Sequence, residues 1–185
     1  MKRSIFLFIF SAVLCAQSAR PGKENWRHYR NQRWGFCISY PQKWDHDEGV
    51  NKAGIAIFPP DDDQGSEISV GALLIGRVNG HQPTIEEDFA AGDNIRRQSG
   101  ATDLVELDKH KTTVGAHSAL FRKISYKEAA GPTWVEESIK FQTHDGLSYA
   151  FELRAHPSEL PKLELIFDKI VKTFKIDCEI ARPAH

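Results

Sequence analysis

A chain of 185 residues, 41% hydrophobic and 26% charged, holds enough apolar material for one ordinary domain and too much for a disordered tail. Nothing after residue 20 is apolar for long enough to span a bilayer. Against 24 Lys and Arg stand 25 Asp and Glu, so composition supplies no basic excess of the kind that marks binders of nucleic acid or anionic lipid.

At the N-terminus Lys2 and Arg3 precede an apolar run from Ile5 to Leu14, relieved only by Ser11 and Ala12. Small residues follow at Ala16, Ser18 and Ala19, which is the order of a secretory signal peptide over residues 1–19. The run is too short for a membrane span, and Leu14 before Cys15 is too bulky for a typical lipid-attachment box. The expectation is export to the periplasm or the exterior, with cleavage after Ala16 or Ala19. Removing residues 1–19 leaves 22 Lys and Arg against 25 Asp and Glu, a net charge of -3. Cys37 and Cys178 then remain as disulfide candidates, an even number in a compartment that permits the bond. The competing reading makes Cys37 a small buried hydrophobe and places Cys178 in a loose tail.

Residues 20–33 are polar without an apolar period and read as a leader to the domain. From Trp34 the pattern alternates: Phe36, Ile38 and Tyr40 against Cys37 and Ser39, a strand with one buried face that Pro41 stops. Gly54 to Phe58 reads as a second strand. Glu67 to Ile75 reads as a third, apolar enough for a central position. Thr84 and Glu87 form a capping box for a first helix, with Arg96 and Arg97 near its negative end and Gly100 to close it. Its apolar face is thin: Ile85, Phe89 and Ile95. Four strands follow, Asp103 to Val114, His117 to Lys127, Thr133 to Gln142 and Leu147 to Ala155. Asp145-Gly146 marks a tight hairpin between the last two, and an antiparallel meander is the natural connection. The last helix carries Leu160, Leu163, Ile166, Phe167, Ile170, Val171 and Phe174 in one stripe, with Ser158 as its cap.

The run Gly35-Phe36-Cys37-Ile38-Ser39-Tyr40-Pro41-Gln42-Lys43-Trp44 resembles the opening motif of the PsbP-like domains, a Gly-Phe strand ending in Pro-x-x-Trp. Tyr29 before it, Glu48 and Gly49 after it, the Ser66 to Val70 strand and the final Thr173-Phe174 agree in order, so the resemblance covers roughly residues 29–176. It implies an α+β fold of the α/β/α sandwich type, a central mainly antiparallel sheet with helices on both faces, and the elements read above supply the order βββ-α-ββββ-α. The fold is shared by PsbP and a Ran-binding nuclear import factor, and many exported bacterial members have no assigned activity. The family's members of known role mostly bind or assemble rather than catalyse. The motif residues Gly35, Phe36, Pro41 and Trp44 belong to the fold and carry no chemistry with them. The expected organisation is a signal peptide at 1–19, a leader at 20–33, a PsbP-like domain at 34–176 and a tail at 177–185.

Motifs for chemistry are scarce. The eight His fall in no local metal-ligand spacing, and Asp45-His46-Asp47-Glu48 reads as a solvated loop. Asp61-Asp62-Asp63 with Gly65 lacks the alternating ligands of a calcium loop. No nucleophile elbow or Gly-rich phosphate loop is present, and Glu136 and Glu137, as strand neighbours, point to opposite faces. No catalytic, cofactor or metal site is assigned, and no cofactor is expected. The expected function is that of an exported, non-catalytic domain that binds a protein or an envelope assembly, not nucleic acid. Its loops Trp44 to Glu48 and Asp61 to Gly65 would carry specificity. The alternatives are a small-ligand or metal carrier, then an enzyme of unrecognised type.

Overall fold

The computed structural model describes residues 25–49, 52–62, 65–76 and 81–178. The expected signal peptide and the last seven residues of the expected tail lie outside them. Five strands come first: β1 (Trp26–Asn31), β2 (Phe36–Pro41), β3 (Asp45–Asp47), β4 (Gly54–Phe58) and β5 (Glu67–Leu74). Helix α1 (Ile85–Gln98) leads to a meander of β6 (Thr102–Val114), β7 (His117–Lys127), β8 (Thr133–Gln142) and β9 (Leu147–Ala155). Helix α2 (Leu160–Thr173) and the short β10 (Lys175–Ile176) complete the chain.

Seven strands form one sheet in the order β3-β4-β5-β9-β8-β7-β6, with every neighbouring pair antiparallel. A second, three-stranded sheet has the order β1-β2-β10 and is also antiparallel. The expected order βββ-α-ββββ-α therefore lacks three strands and one sheet. Each omission has a physical cause. In β1, read as part of a polar leader, the residues that turn inward are Tyr29 and Asn31, and the remaining positions are exposed or half-buried. Strand β3, read as the loop Asp45-His46-Asp47, is an exposed edge of three polar residues. Strand β10 has two residues and is held by its pairing with Phe36 and Cys37. Strand β1 thus lies within the residues read as a leader, and β10 leads directly into Asp177 and Cys178.

Helix α1 forms as its sequence dictates. Thr84 accepts from Glu87 N, and the Glu87 side chain accepts from Thr84 N at 2.7 Å, so both halves of the capping box are made. Its inward residues differ from the expected stripe, because Phe89 and Asp93 are buried while Ile95 is 64% exposed. Helix α2 buries Leu160, Leu163, Phe167 and Ile170 as its stripe requires, each such side chain contributing about 1.5–3 kcal/mol. Its N-cap is Glu159 without a side-chain hydrogen bond, not Ser158, and Pro161 occupies the first turn, where a missing N–H costs little.

The two helices lie on opposite faces of the large sheet. On one face, Asp88, Asp93 and Arg96 of α1 reach Lys140, Arg122 and Glu136. On the other, Phe174 at the end of α2 packs on Phe151, Tyr149, Phe141 and Phe36, with ring centroids 4.9, 5.4, 5.8 and 5.8 Å apart. Phe36, Ile38 and Tyr40 of β2 are essentially fully buried, so the small sheet and α2 together close this side of the core. A disulfide joins Cys37 to Cys178, whose Cα atoms are 6.1 Å apart, and ties β2 to the chain end.

The meander ends on a long edge. Strand β6 is exposed at most of its positions, and its register with β7 shifts twice, between Thr102 and Val105 and between Glu106 and Asp108. Bulges and the charges of Glu106, Asp108, Lys109 and Lys111 are what keep an open edge from adding a foreign strand.

Candidate functional site

The face of the sheet that carries α1 is built from side chains of alternating strand residues. By register, one row across it is Gly54, Gly71, Ala150, Lys140 and Leu120, and the next is Ala56, Ser69, Glu152, Ser138 and Arg122. Residues are small on β4 and β5 and charged on β7 and β8. Gly54 permits nothing else, since a Cβ there would stand 2.3 Å from the Val70 carbonyl oxygen. Helix α1 covers the charged half. Over β4, β5 and β9 the small residues form the floor of a trough of ≈400 Å³, whose far rim is Asp47, Glu48 and Gly49. Against the near rim, Lys140 lies 2.7 Å from Asp88 and 3.5 Å from Glu152. Burial pushes the Glu152 carboxyl above the usual range, and Lys140 opposes this only in part. Leu73 and Leu74, 52% and 62% exposed, stand at the end of β5 beside this floor.

Under α1 the charges are paired. Arg122 donates from both terminal nitrogens to Asp93 at 2.9 and 2.7 Å, and from Nε to Glu106 at 2.8 Å. Arg96 pairs with Glu136 and stands 3.7 Å from Asp93. Burial alone would raise the Asp93 carboxyl, but the Arg122 hydrogen bonds and charge, with Arg96 and Arg97, hold it below the usual range. Beyond the last turn of α1 a second depression of ≈520 Å³ is lined by Arg96, Tyr126, Glu128, Glu136 and Arg154, with Ile95 at its edge. Arg154 pairs with Glu128 and lies over the Trp134 ring, 3.9 Å from its centroid.

On the opposite face, under α2, Lys123 Nζ lies 2.9 Å from Glu137 and 2.6 Å from Glu164. Glu137 is pushed up to about 7, first by burial and then by the hydrogen bond to Glu164, with Lys123 opposing. Glu164 is held below its usual value by that same hydrogen bond and by Lys123. The folded protein therefore keeps a proton that the unfolded chain, with its ordinary value of 4.5, releases. The contribution of Glu137 to stability falls as pH rises from about 4.5 to about 7 and stays flat above. Glu137→Gln, which cannot ionise, should melt a few degrees above the native protein at pH 8 and close to it at pH 4.5. Parallel melting curves for the two proteins across that range would refute the assignment.

The residues singled out in the sequence are placed as follows. Gly35 takes φ +65° between β1 and β2, a backbone conformation suited to glycine, and its carbonyl accepts from Asp177 N at 2.7 Å. Phe36 is fully buried, Pro41 ends β2, and Trp44, 7% exposed, donates its backbone N–H to the Pro41 carbonyl. The two loops expected to carry specificity are separated. Asp47 and Glu48 line the trough, whereas Asp61 and Asp62 line a depression with Glu159, Lys162 and Leu163 at the start of α2. Residues 63 and 64 lie outside the described residues. His110 and His117 stack on different rings, Phe121 and Phe141. Among the described residues no three His, Cys, Asp or Glu side chains converge as a metal site would require. Glu136 and Glu137 meet opposite helices, as strand neighbours must. Sequence reasoning missed the buried ions. Their signal was present in α1, where Asp93 and Arg96 follow Phe89 at helical spacing, on the side that turns inward.

No protein-family model matches the sequence, and no curated protein matches it. Solved structures do. PsbP (CyanoP) from Synechocystis sp. PCC 6803 matches 84% of this chain over 95% of its own at 12% identity, with a TM-score of 0.62. The Ran-binding protein Mog1p of Saccharomyces cerevisiae matches 83% over 96% at 10% identity, with a TM-score of 0.57. LpqN of Mycobacterium tuberculosis, described as involved in cell envelope biogenesis, matches 86% over 87% at 17% identity, with a TM-score of 0.51. Identities this low carry the architecture and not the activity. The chain has the PsbP-like fold, with two sheets, a helix on each face of the larger one, and the Gly35 to Trp44 run at the centre of the smaller.

Proposed function

We propose that this protein is an exported, non-catalytic binding domain accessory to an assembly of the cell envelope, and that its trough receives a segment of a partner protein. The observation that carries the reading is the half of the sheet face that α1 leaves uncovered, floored by Gly54, Ala56, Ser69, Gly71 and Ala150. A floor of small residues lets another backbone approach closely, and a shallow trough suits a chain segment better than a small molecule. Among the described residues that line it, the carboxylates of Asp47, Glu48, Asp88 and Glu152 stand against the single cation Lys140, which favours a segment bearing lysine or arginine. The names of Mog1p and LpqN, one Ran-binding and one tied to the cell envelope, agree with this class of role. The Cys37–Cys178 disulfide agrees with an oxidising compartment.

Ala150→Arg fills the floor at an incompletely buried position. Chemical cross-linking in the protein's own host should yield a discrete adduct with the native chain and none with this variant, at an unchanged melting temperature. An adduct that survives the substitution removes the trough from the proposal. The carrier reading is favoured by the depression lined by Arg96, Tyr126 and Arg154. A saturable thermal shift with a small molecule from the host, lost in Arg154→Ala but kept in Ala150→Arg, would put that reading first.

A further inference from the structure

The even balance of charge in the sequence hides an uneven distribution in space. On the outward side of the small sheet, Trp26, His28 and Arg30 of β1 stand opposite Pro41, Ser39 and Cys37 of β2, and Lys175 of β10 stands opposite Cys37 from the other edge. Ser39 N donates to Thr173 Oγ1 at 2.8 Å, which draws the end of α2 alongside. Lys169, Lys172 and Thr173 consequently share a wide depression of ≈570 Å³ with Trp26 and Ser39. One helical turn before Lys169, Leu165 is 65% exposed. From residue 165 to residue 176 the lysines 169, 172 and 175 face one acid, Asp168. Arg30, Lys172 and Lys175 contrast with Arg96, Arg122, Lys123, Lys140 and Arg154 on and over the large sheet, each of which meets a carboxylate. Among the described residues no carboxylate pairs with Arg30, Lys172 or Lys175.

We propose that this face docks on an anionic lipid bilayer, the cations at the phosphate headgroups and the Trp26 indole at the interface. A headgroup layer is diffuse and negative, so it rewards flexible lysines at several heights and needs no matched cleft. The half-buried indole and the exposed Leu165 beside them are the side chains that partition to that depth. An acidic protein would instead be expected to find fixed, fork-shaped partners, and Arg30 is the only guanidinium among the side chains named on this face. The surface lies on the α2 side of the molecule and the trough on the α1 side, so a docked domain presents its trough away from the bilayer.

The test is sedimentation of the protein, isolated in the form its host accumulates, with vesicles of phosphatidylcholine alone or with one third phosphatidylglycerol. Binding should require phosphatidylglycerol and disappear in high salt. Arg30→Glu with Lys172→Glu should weaken it at least about tenfold, since each basic residue near an anionic surface contributes roughly fivefold. Lys109→Glu with Lys111→Glu, the same charge change on the β6 edge, should leave most of it. The milder Arg30→Gln with Lys172→Gln should fall between, and melting temperatures identify any variant that is not folded. Equal binding to both vesicle types, or equal loss in the β6 control, overturns the proposal. So does a protein that ignores the vesicles but binds polyglutamate or nucleic acid, which would assign the surface to an acidic macromolecule.

Discussion

Reducing the Cys37–Cys178 disulfide is expected to lower the melting temperature by about 10 °C. The bond spans 141 residues of sequence and so encloses nearly the whole domain. Removing so large a loop constraint from the unfolded chain costs about 5 kcal/mol in the entropic model, within a usual observed range of about 2–5 kcal/mol. The native state offers little to compensate, because β10 pairs with β2 through only Lys175 and Ile176. Cys37→Ala with Cys178→Ala should reproduce the loss and be indifferent to reductant. The comparison is a pair of thermal melts with and without reductant. Coincident melts, with both thiols open to alkylation in the unreduced, denatured protein, would remove the bond from the account.

Arg122→Met is expected to cost about 3–5 kcal/mol at neutral pH, because it strands a buried carboxylate. Arg122 is 7% and Asp93 8% exposed, and the bidentate pair is what holds α1 to β7. Removing both charges together, as Arg122→Leu with Asp93→Leu, should recover most of the loss, since an apolar pair leaves no buried charge unpaired and Glu106, which loses its Arg122 contact, is 45% exposed. The pH dependence separates this cause from lost packing. Asp93 titrates below its ordinary value of 3.8 in the fold, so its stabilisation is present above that value and is lost as acid carries the pH down through the folded one. Without Arg122 the carboxyl is protonated in the fold at higher pH, so the gap between native and variant stabilities should narrow as the pH falls below 3.8. Urea unfolding at pH 7 and pH 3 measures both gaps. A gap of the same size at the two values would point to packing instead.

How much of this was legible in the sequence depends on what each element faces. Strands β7, β8 and β9 run between the residues that the apolar pattern and Asp145-Gly146 mark, because β7 and β9 alternate more and less buried positions, β8 is buried on both faces, and the turn allows positive φ at Gly146. The Gly35 to Trp44 run pointed to the fold because a buried Phe36 and a left-handed Gly35 are requirements of the small sheet rather than of any ligand. Strands β1, β3 and β10 left no such trace. They lie at sheet edges, where half of the backbone groups face outward and polar residues serve as well as apolar ones. The candidate site was less legible still. A trough appears only when Gly54, Gly71 and Ala150, distant in sequence, come into one register row. The basic face is invisible to any count of charges, because its lysines come from α2 and β10 and its arginine from β1.

The position of Cys37 also sets an order of events. Strand β2 is the middle strand of the small sheet, flanked by β1 from just before it in the chain and by β10 from the far end. In a chain made from its N-terminus, Cys37 emerges while the whole of the large sheet is still to come. Its thiol has no native partner until Cys178, 141 positions later, arrives. The waiting period exposes it to other thiols, and a mixed disulfide formed then must be exchanged before β10 can seat. Closure of the bond therefore waits until every strand of the large sheet has been made.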